Sequence, residues 1–504
     1  MTGGNLLIDP VGARIGATSD PELFRRATEA WDAGTAERML PEIERALQRS
    51  TDYKLWHIHG LIMRQLERRE DALPSLRKAV ELNPDAFNPA FALARTLYEA
   101  GLPCLDEFGR ALQLSPANPE VVSALAMAFV GAGEVGTAIA GLEKIVGRSP
   151  LWVEGQRTLS QLRWMEGERE GFTRNFDEAL KQYPNSLDLR LEQIVSLTHA
   201  EQWDEVLRVI AEGRKAIGEQ PIFAVNEAVV HAEMGHIAIA DRLFAPFEGS
   251  TDAPLQVRRV RHLLRAGRPD QAAAEIEPWL KTPQALMFWP YASIAWRLTD
   301  LERWRWLEGD ERFVGVYDIA DRLPPLDQLA DTLRALHNLS GQPLEQSLRG
   351  GTQTDGDVFT RIDPVLVAMR EAVRAVVADH IAQLPPRDPD HPLLSAARDR
   401  ISFNGAWSVR LKDAGYHSNH VHPLGWLSSA LYIALPPGMG EGEQGILTLG
   451  EPRASCFELD MAPFRTVDPK PGRLALFPSY MWHGTRPFGR GERLTVAFDV
   501  ARHD

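Results

Sequence analysis

Apolar and small side chains recur at helical spacing over most of the first three hundred residues. From Pro21 onward they fall three and four positions apart, as Leu23, Ala27 and Ala30 do, which places them on one helix face. Because proline ends a helix and pushes the preceding residue out of helical geometry, prolines 32 to 37 residues apart predict stacked helix–turn–helix units. These prolines are Pro84, Pro116, Pro150, Pro184, Pro221 and Pro254.

The unit before Pro84 shows what one repeat contains. Trp56 is followed by Gly60, and Ala72 and Leu76 stand in the second helix. Small residues allow the two helices to approach closely, and large residues fill the gaps. This arrangement resembles the tetratricopeptide repeat. One such unit cannot bury its apolar face alone, so at least three must stack.

After residue 306 the pattern changes to short apolar runs separated by Gly and Pro. It predicts a strand over 313–317, helices over 325–339 and 360–384, and a loop over 347–354 (S-L-R-G-G-T-Q-T). Many short strands with turns between them indicate a barrel or sandwich. The later strands are predicted over 401–411, 426–435, 445–449, 456–459, 473–477 and 493–500.

The expected organisation is an α+β multidomain chain. We predict an N-terminal lead-in over 1–20, helical repeats over 21–306 and a β-rich domain over 307–504. An aromatic group late in the repeats is predicted to close the helical stack against the next domain. Its members are Phe288, Trp289, Tyr291, Trp296, Trp304 and Trp306.

Composition limits the function classes. A chain of 504 residues is expected to form two or more domains, and 55 basic against 69 acidic residues argue against a general nucleic-acid binder. Two cysteines, Cys104 and Cys456, are too few for a disulfide framework and indicate a reducing compartment. No apolar run is long enough to cross a bilayer and no signal peptide opens the chain, so we expect a cytoplasmic protein with no membrane partner.

The candidate chemistry lies in the β-rich region. His420 and His422 are two residues apart, so on a strand both imidazoles would project to one face and could share a metal ion. His483 follows a buried strand that ends in proline, and Arg493 opens the last strand. A buried arginine requires an anion, and a guanidinium pairs with a carboxylate through two hydrogen bonds. A structural salt bridge to a nearby acid is the alternative for Arg493.

The block 401–500 resembles the iron(II)- and 2-oxoglutarate-dependent oxygenases. His420, His483 and Arg493 match that family's first histidine, distal histidine and arginine in type, order and spacing. The resemblance implies a double-stranded β-helix (jelly-roll) fold, Fe(II) as metal, and 2-oxoglutarate and O2 as co-substrates. It also implies that Arg493, with the hydroxyl of Thr495, binds the distal carboxylate of 2-oxoglutarate. The run from 347 to 354 resembles the branch of these oxygenases that is often fused to tetratricopeptide repeats.

One position departs from the family pattern, because His422 stands where a carboxylate ligand is expected. We favour a three-histidine set of His420, His422 and His483. Two alternatives remain: two histidines with water in the third position, or a different register in which His417 or Asn419 takes part. Further candidates for the surroundings of the metal or for substrate contact are His417, Asn419, Arg349, Gln353 and Trp482.

The expected function is hydroxylation of a protein or peptide side chain held by the repeat arm, since the concave face of a solenoid suits extended peptides. One alternative is a three-histidine dioxygenase that does not use 2-oxoglutarate. Another is a non-catalytic repeat scaffold with a degenerate barrel. The repeats could bind the substrate, another partner or a second copy of the chain as a homodimer, and the sequence does not choose among these.

Overall fold

The computed structural model describes residues 20–116, 118–339, 341–344, 346–440, 442–452, 459 and 461–503. Nearly all of the predicted lead-in over 1–20, and the predicted strand over 456–459 except Leu459, lie outside these residues. The chain divides into two compact units, Met1–Leu125 and Ala126–Asp504, and helix α7 spans the division. The helices up to that point are α1 (Asp20–Asp32), α2 (Leu40–Leu47), α3 (Tyr53–Gln65), α4 (Arg69–Leu82), α5 (Phe87–Ala100), α6 (Leu105–Leu114) and α7 (Pro119–Gly131).

Antiparallel helices continue through the first half of the second unit. They are α8 (Val135–Arg148), α9 (Val153–Met165), α10 (Arg174–Gln182), α11 (Leu187–His199), α12 (Trp203–Ile217), α13 (Pro221–Glu233), α14 (Ile237–Phe244), α15 (Ala253–Arg265), α16 (Pro269–Ile276), α17 (Trp289–Thr299) and α18 (Leu301–Glu308). Within the described residues, no helix carries an apolar stretch long enough to cross a bilayer.

Helix pairs cross where the sequence places small residues. In the pair α3–α4, a Cβ on Gly60 would lie 2.6 Å from Cγ of Leu76, so only glycine permits this approach. The first four periodic prolines follow helix ends, as Pro84 follows α4. Pro221 and Pro254 do not end helices but stand in the first turn of α13 and α15. A first-turn proline is tolerated because the N–H it lacks would have no helical acceptor there.

The rest of the second unit contains two antiparallel sheets and two helices. The six-stranded sheet has the order β1-β7-β4-β9-β3-β2, and the three-stranded sheet has the order β6-β5-β8. The elements are β1 (Gly315–Asp318), α19 (Leu326–Arg334), β2 (Leu348–Gln353), α20 (Pro364–Gln383), β3 (Phe403–His417), β4 (Gly425–Ala434), β5 (Leu447–Leu449), β6 (Arg465–Val467), β7 (Arg473–Pro478), β8 (His483–Thr485) and β9 (Glu492–Ala501). The predicted α+β multidomain class is confirmed.

Strand β9 separates the apolar core from the polar face of the large sheet. Leu494, Val496, Phe498 and Val500 are fully buried in the core that includes α20. The alternate residues Arg493, Thr495 and Asp499 point to the opposite face, because successive side chains of a strand project to opposite sides. This second face carries the candidate chemistry.

The prediction of a loop over 347–354 is wrong. Residues Leu348–Gln353 form the edge strand β2, which pairs with β3 through a bulge between Arg349 and Gly351. The two glycines serve the bulge: Gly350 has φ +77°, and a Cβ on Gly351 would lie 2.3 Å from the carbonyl oxygen of Arg410. An edge strand pairs on one side only, so a polar, glycine-containing sequence is compatible with it.

The late aromatic residues join the helices to the large sheet in one core. Phe288, Trp289, Trp296 and Trp304 belong to the same cluster as Trp482 and residues of β4, β7 and β9. Hydrogen bonds cross this contact: the Tyr480 hydroxyl donates to the carbonyl of Leu307 at 2.7 Å. The aromatic group therefore packs against the β-rich region, as the sequence predicts.

Candidate metal centre

Three imidazoles converge at one end of the large sheet. One ring nitrogen from each of His420, His422 and His483 lies within 4.8 Å of the other two. The ring centroids of His420 and His483 are 4.2 Å apart, and that of His422 is 4.9 Å from His420 and 5.2 Å from His483. The described structure thus brings together the residues that the sequence pattern proposes as a three-histidine set.

The local geometry differs from the predicted strand. β3 ends at His417, and His420 forms an isolated antiparallel bridge with His483 rather than part of a ladder. The backbone N–H of His422 donates to the carbonyl of Ser479 at 2.9 Å. The two side chains still project together, but their segment is held by a single bridge to His483, the first residue of β8, and by the bond to Ser479 rather than by a ladder.

Each of the three imidazoles has its Nδ1 atom beside an oxygen acceptor. Nδ1 of His420 is 2.9 Å from the carbonyl of Ser418, and Nδ1 of His483 is 3.0 Å from the carbonyl of Met481. Because a carbonyl can only accept, these two nitrogens carry the protons and each ring presents an unprotonated Nε2. A hydrogen bond on the other ring nitrogen is the usual way in which a protein orients a metal-binding histidine.

His422 has a stronger acceptor. Its Nδ1 donates to the carboxylate of Asp499 at 2.8 and 2.9 Å. The Ser428 hydroxyl donates to the same carboxylate at 2.7 Å and so fixes its position. A carboxylate that accepts from a ring N–H raises the basicity of the other ring nitrogen. Asp499 thus places a negative charge near the cluster, as a carboxylate ligand would, but it does so through its hydrogen bond to His422 and not as one of the converging groups.

The surroundings of His420 and His483 favour neutral imidazoles. Burial lowers the pKa of both residues well below the ordinary value, and the neighbouring imidazoles lower it further. Burial and the nearby Arg493 guanidinium lower the pKa of His417 to about 3. A metal ion requires neutral imidazole, so His420 and His483 are ready to bind one without first losing a proton.

Arg493 is buried beside this cluster and forms no ion pair with the described residues. Its exposure is 1%, and its Nε and Nη1 atoms have no hydrogen-bond partner among the described residues. The guanidinium lies 5.1 Å from the centroid of Tyr432, whose hydroxyl also lacks a described partner. Thr495 is buried on the same face of β9 and is paired in register with Tyr432. Unsatisfied buried donors are costly, so these groups are suited to an anionic ligand.

His417 and Asn419 make contacts other than with the three-histidine set. Nδ1 of His417 is 3.1 Å from the Ser347 hydroxyl, which also lies 3.2 Å from Nε2 of His420. The Asn419 amide donates to the carbonyl of Glu451 at 2.8 Å. Asn419 packs so closely on Gly484 that a Cβ there would lie 1.9 Å from its Oδ1. Asn419 therefore holds the loop that carries His420.

The remaining candidates separate into two groups. Arg349 and Gln353 line a cavity of about 730 Å3 in front of the histidines. Trp482 points away from it, because its Nε1 donates to the carbonyl of Pro290 at 2.8 Å within the helix–sheet core. The cavity is also lined by Trp407, whose ring lies 5.7 Å from His422, and by residues of α11, α12, α13 and α15.

Sequence reasoning missed Asp499, Ser428 and Ser347. Asp499 is on the same strand face as Arg493 and Thr495, six and four residues away, so the alternation of β9 was the available signal. Its pairing with His422 depends on the register of β9 against β4, which no local pattern specifies. Ser347 lies just before β2, whose pairing with β3 was not expected.

Comparison with known proteins adds a family and several structures. Residues 405–499 match the family model described as "Putative 2OG-Fe(II) oxygenase". The chain matches no curated protein. Similar solved structures include a tetratricopeptide repeat protein from Parabacteroides merdae, at 16% identity over 55% of this chain and 98% of that chain, with a TM-score of 0.31. A Pseudomonas putida prolyl-4-hydroxylase is 17% identical over 38% of this chain and 94% of that chain, with a TM-score of 0.26.

Proposed function

We propose that this chain, which joins tetratricopeptide-type helical repeats to a 2OG-Fe(II) oxygenase-type domain at its C-terminal end, is an iron(II)- and 2-oxoglutarate-dependent dioxygenase that hydroxylates a protein or peptide side chain. The observation that carries the proposal is the three-imidazole cluster beside a buried arginine that has unsatisfied donors. The imidazole cluster suits a divalent metal, and the arginine suits a carboxylate.

The residues present fit both groups. His420, His422 and His483 would hold the iron through Nε2, and Arg493 with Thr495 would hold the distal carboxylate of 2-oxoglutarate. When bound, these groups supply an oxidant: 2-oxoglutarate and O2 become succinate and CO2, and one oxygen atom enters a C–H bond of the substrate. The chain's own part is to orient the imidazoles through Ser418, Met481 and Asp499.

The position of the cavity supports a peptide substrate. Its walls come from α11, α12, α13 and α15 on one side and from the segment around His420 on the other. A substrate that reaches the histidines through this cavity would therefore also contact the repeat helices. A volume of about 730 Å3 is large enough for several side chains of an extended peptide.

The test uses full-length protein prepared without oxygen. Addition of Fe(II) and then 2-oxoglutarate is expected to give a visible charge-transfer absorbance, and admission of O2 is expected to release succinate. His483→Ala is expected to abolish both signals, because it removes one of three metal-binding nitrogens. His236→Ala is the matched control, since His236 is an exposed imidazole in the turn between α13 and α14. Equal succinate release from His483→Ala and wild type contradicts the proposal.

The same experiment decides the second candidate, a three-histidine dioxygenase that does not use 2-oxoglutarate. The observation in its favour is the ligand set, in which no carboxylate is among the three converging groups. Arg493 argues against it, because that reaction has no need of a buried cation. Stoichiometric iron binding without any absorbance change on addition of 2-oxoglutarate would support this second candidate.

A further inference from the structure

On the helical wall of the cavity, one arginine makes no hydrogen bond or ion pair with the described residues. Arg258, Arg261 and Glu233 line this wall, on α15 and α13. Glu233 is fully engaged, since one carboxylate oxygen is 2.8 Å from Nε of Arg261 and the other is 2.7 Å from Nη2 of Arg265. Arg258 makes no hydrogen bond or ion pair with any residue that the structure describes, although its side chain is exposed to the cavity.

The other charges of the cavity are already paired. Glu201 lies 3.5 Å from Arg349, and Asp499 accepts from His422. Among the described residues, Arg258 is thus the charged group of this cavity that has no hydrogen bond or ion pair. Enclosure by the surrounding protein and the adjacent Arg261 lower the pKa of Arg258, while Tyr291, Glu233 and Asp252 raise it without direct contact. A guanidinium stays protonated at neutral pH, so the wall presents a positive charge that lacks a direct partner among these residues.

A second cavity continues the first. It has a volume of about 400 Å3 and shares Leu344, Gln346, Gln353 and Trp407 with the larger one. Its far side is lined by apolar residues of the repeat helices and the segment after α19, among them Met127, Met165 and Leu339. A compact molecule would fill only one cavity. An extended chain can lie along both, with an apolar side chain in the smaller one.

Resting on the function proposed above, we propose that the substrate is an extended peptide whose carboxylate pairs with Arg258 while a neighbouring side chain faces the three histidines. A carboxylate suits this wall better than a phosphate. Glu201 and Glu233 are already paired with arginines, so Arg258 offers this cavity a single positive charge. One guanidinium matches one carboxylate in charge and in geometry, whereas a phosphate dianion would keep a negative charge without a partner. The carboxylate belongs either to an Asp or Glu side chain or to the C-terminus of the peptide.

The test measures binding rather than turnover. Iron-free full-length protein is immobilised and mixed with short synthetic peptide libraries in which one interior position is fixed as Glu, Gln or Lys. Each library is made with a free and with an amidated C-terminus, and retained peptide is quantified by mass spectrometry. Wild type is expected to retain Glu over Gln, or free over amidated termini, by about tenfold. Whichever arm shows the preference identifies the source of the carboxylate.

Two substitutions at Arg258 test whether the preference for a carboxylate depends on this residue. Arg258→Gln is expected to abolish it, and Arg258→Glu is expected to favour the Lys library. Arg242→Glu, an exposed arginine on α14 outside the cavity lining, is the matched charge control and is expected to behave as wild type. Equal retention of all libraries by wild type, or a preference that survives in Arg258→Gln, overturns the inference. Iron-dependent succinate release is scored separately, so the oxygenase function can stand when the peptide inference fails.

Discussion

Two buried arginines of the second unit differ in their surroundings. Arg259 on α15 has a complete set of partners: its Nη1 donates to the carbonyl of Phe244 at 2.8 Å and its Nη2 donates to Glu275 at 2.7 Å. Arg493 on β9 is more deeply buried, but its Nε and Nη1 have no described partner. Arg259 thus has each guanidinium nitrogen paired within the fold. Arg493 does not, which is the difference expected between a structural arginine and the ligand-binding arginine proposed above.

The largest expected effect separates these two arginines. Arg259→Met should lower the free energy of unfolding by roughly 2–3 kcal/mol, because it removes charge-assisted hydrogen bonds and leaves Glu275 unpaired. Arg493→Met should leave the stability of the ligand-free protein unchanged or higher, since it removes an unpaired buried charge. The same change should abolish 2-oxoglutarate binding. Denaturant unfolding and a 2-oxoglutarate titration measure the two quantities.

Both variants replace a buried arginine with methionine. They differ in the hydrogen-bond partners that the arginine has in the wild-type protein. If Arg493→Met destabilises the ligand-free protein as much as Arg259→Met does, Arg493 is a structural residue. The comparison between the two regions would then fail.

The next effect concerns the carboxylate that accepts from His422. Asp499→Asn keeps the shape and an acceptor oxygen but removes the charge, so iron affinity should fall by about 10–100-fold while the fold is retained. Asp468→Asn, at an exposed acid of the same domain, is the control. Anaerobic titration with Fe(II) gives the two dissociation constants. Equal affinities in wild type and Asp499→Asn would show that Asp499 does not act through His422.

The smallest effect tests a buried imidazole outside the metal centre. His380 on α20 has its Nδ1 2.9 Å from the Tyr317 hydroxyl, and burial lowers its pKa to about 4. The unfolded chain takes up this proton near the ordinary pKa of 6.5, whereas the folded chain does so only near 4, so protonation stabilises the unfolded state and the free energy of unfolding falls as the pH drops from about 6.5 toward 4. Between pH 7 and 5.5 the loss is about 1 kcal/mol.

The variant His380→Leu should be less stable at pH 7, because the Tyr317 hydroxyl loses its partner, but its stability should depend less on pH over that range. Thermal unfolding at several pH values provides the measurement, with His236→Leu as the exposed control. A pH dependence equal to that of wild type would show that His380 is not responsible for it.

The sequence predicts the elements of this fold better than their contacts. The proline period and the crossing at Gly60 depend on residues close in sequence, so local patterns reveal the repeat helices. β2 was not predicted because its own residues are polar and contain two glycines, which is typical of a loop. Its hydrogen bonds come from β3, which is distant in sequence. Propensity is a weak guide at sheet edges, where tertiary pairing decides the structure.

The candidate site was predictable as far as its motif extends. His420, His422, His483 and Arg493 stand in a recognisable order, and the structure brings the three imidazoles together. Asp499 and Arg258 are not marked by any motif. The contact of Asp499 depends on the register between β4 and β9, and the significance of Arg258 depends on which neighbouring charges are already paired.

The backbone bridge between His420 and His483 has a consequence for how the metal is loaded. Each residue donates its backbone N–H to the carbonyl of the other, at 2.8 and 3.0 Å. The backbones that carry two imidazoles from distant parts of the chain are therefore fixed against each other by main-chain hydrogen bonds. The conformational entropy needed to assemble them is lost during folding. If iron binds here as proposed, a chelator is expected to remove it, and added Fe(II) to replace it, without refolding of the chain.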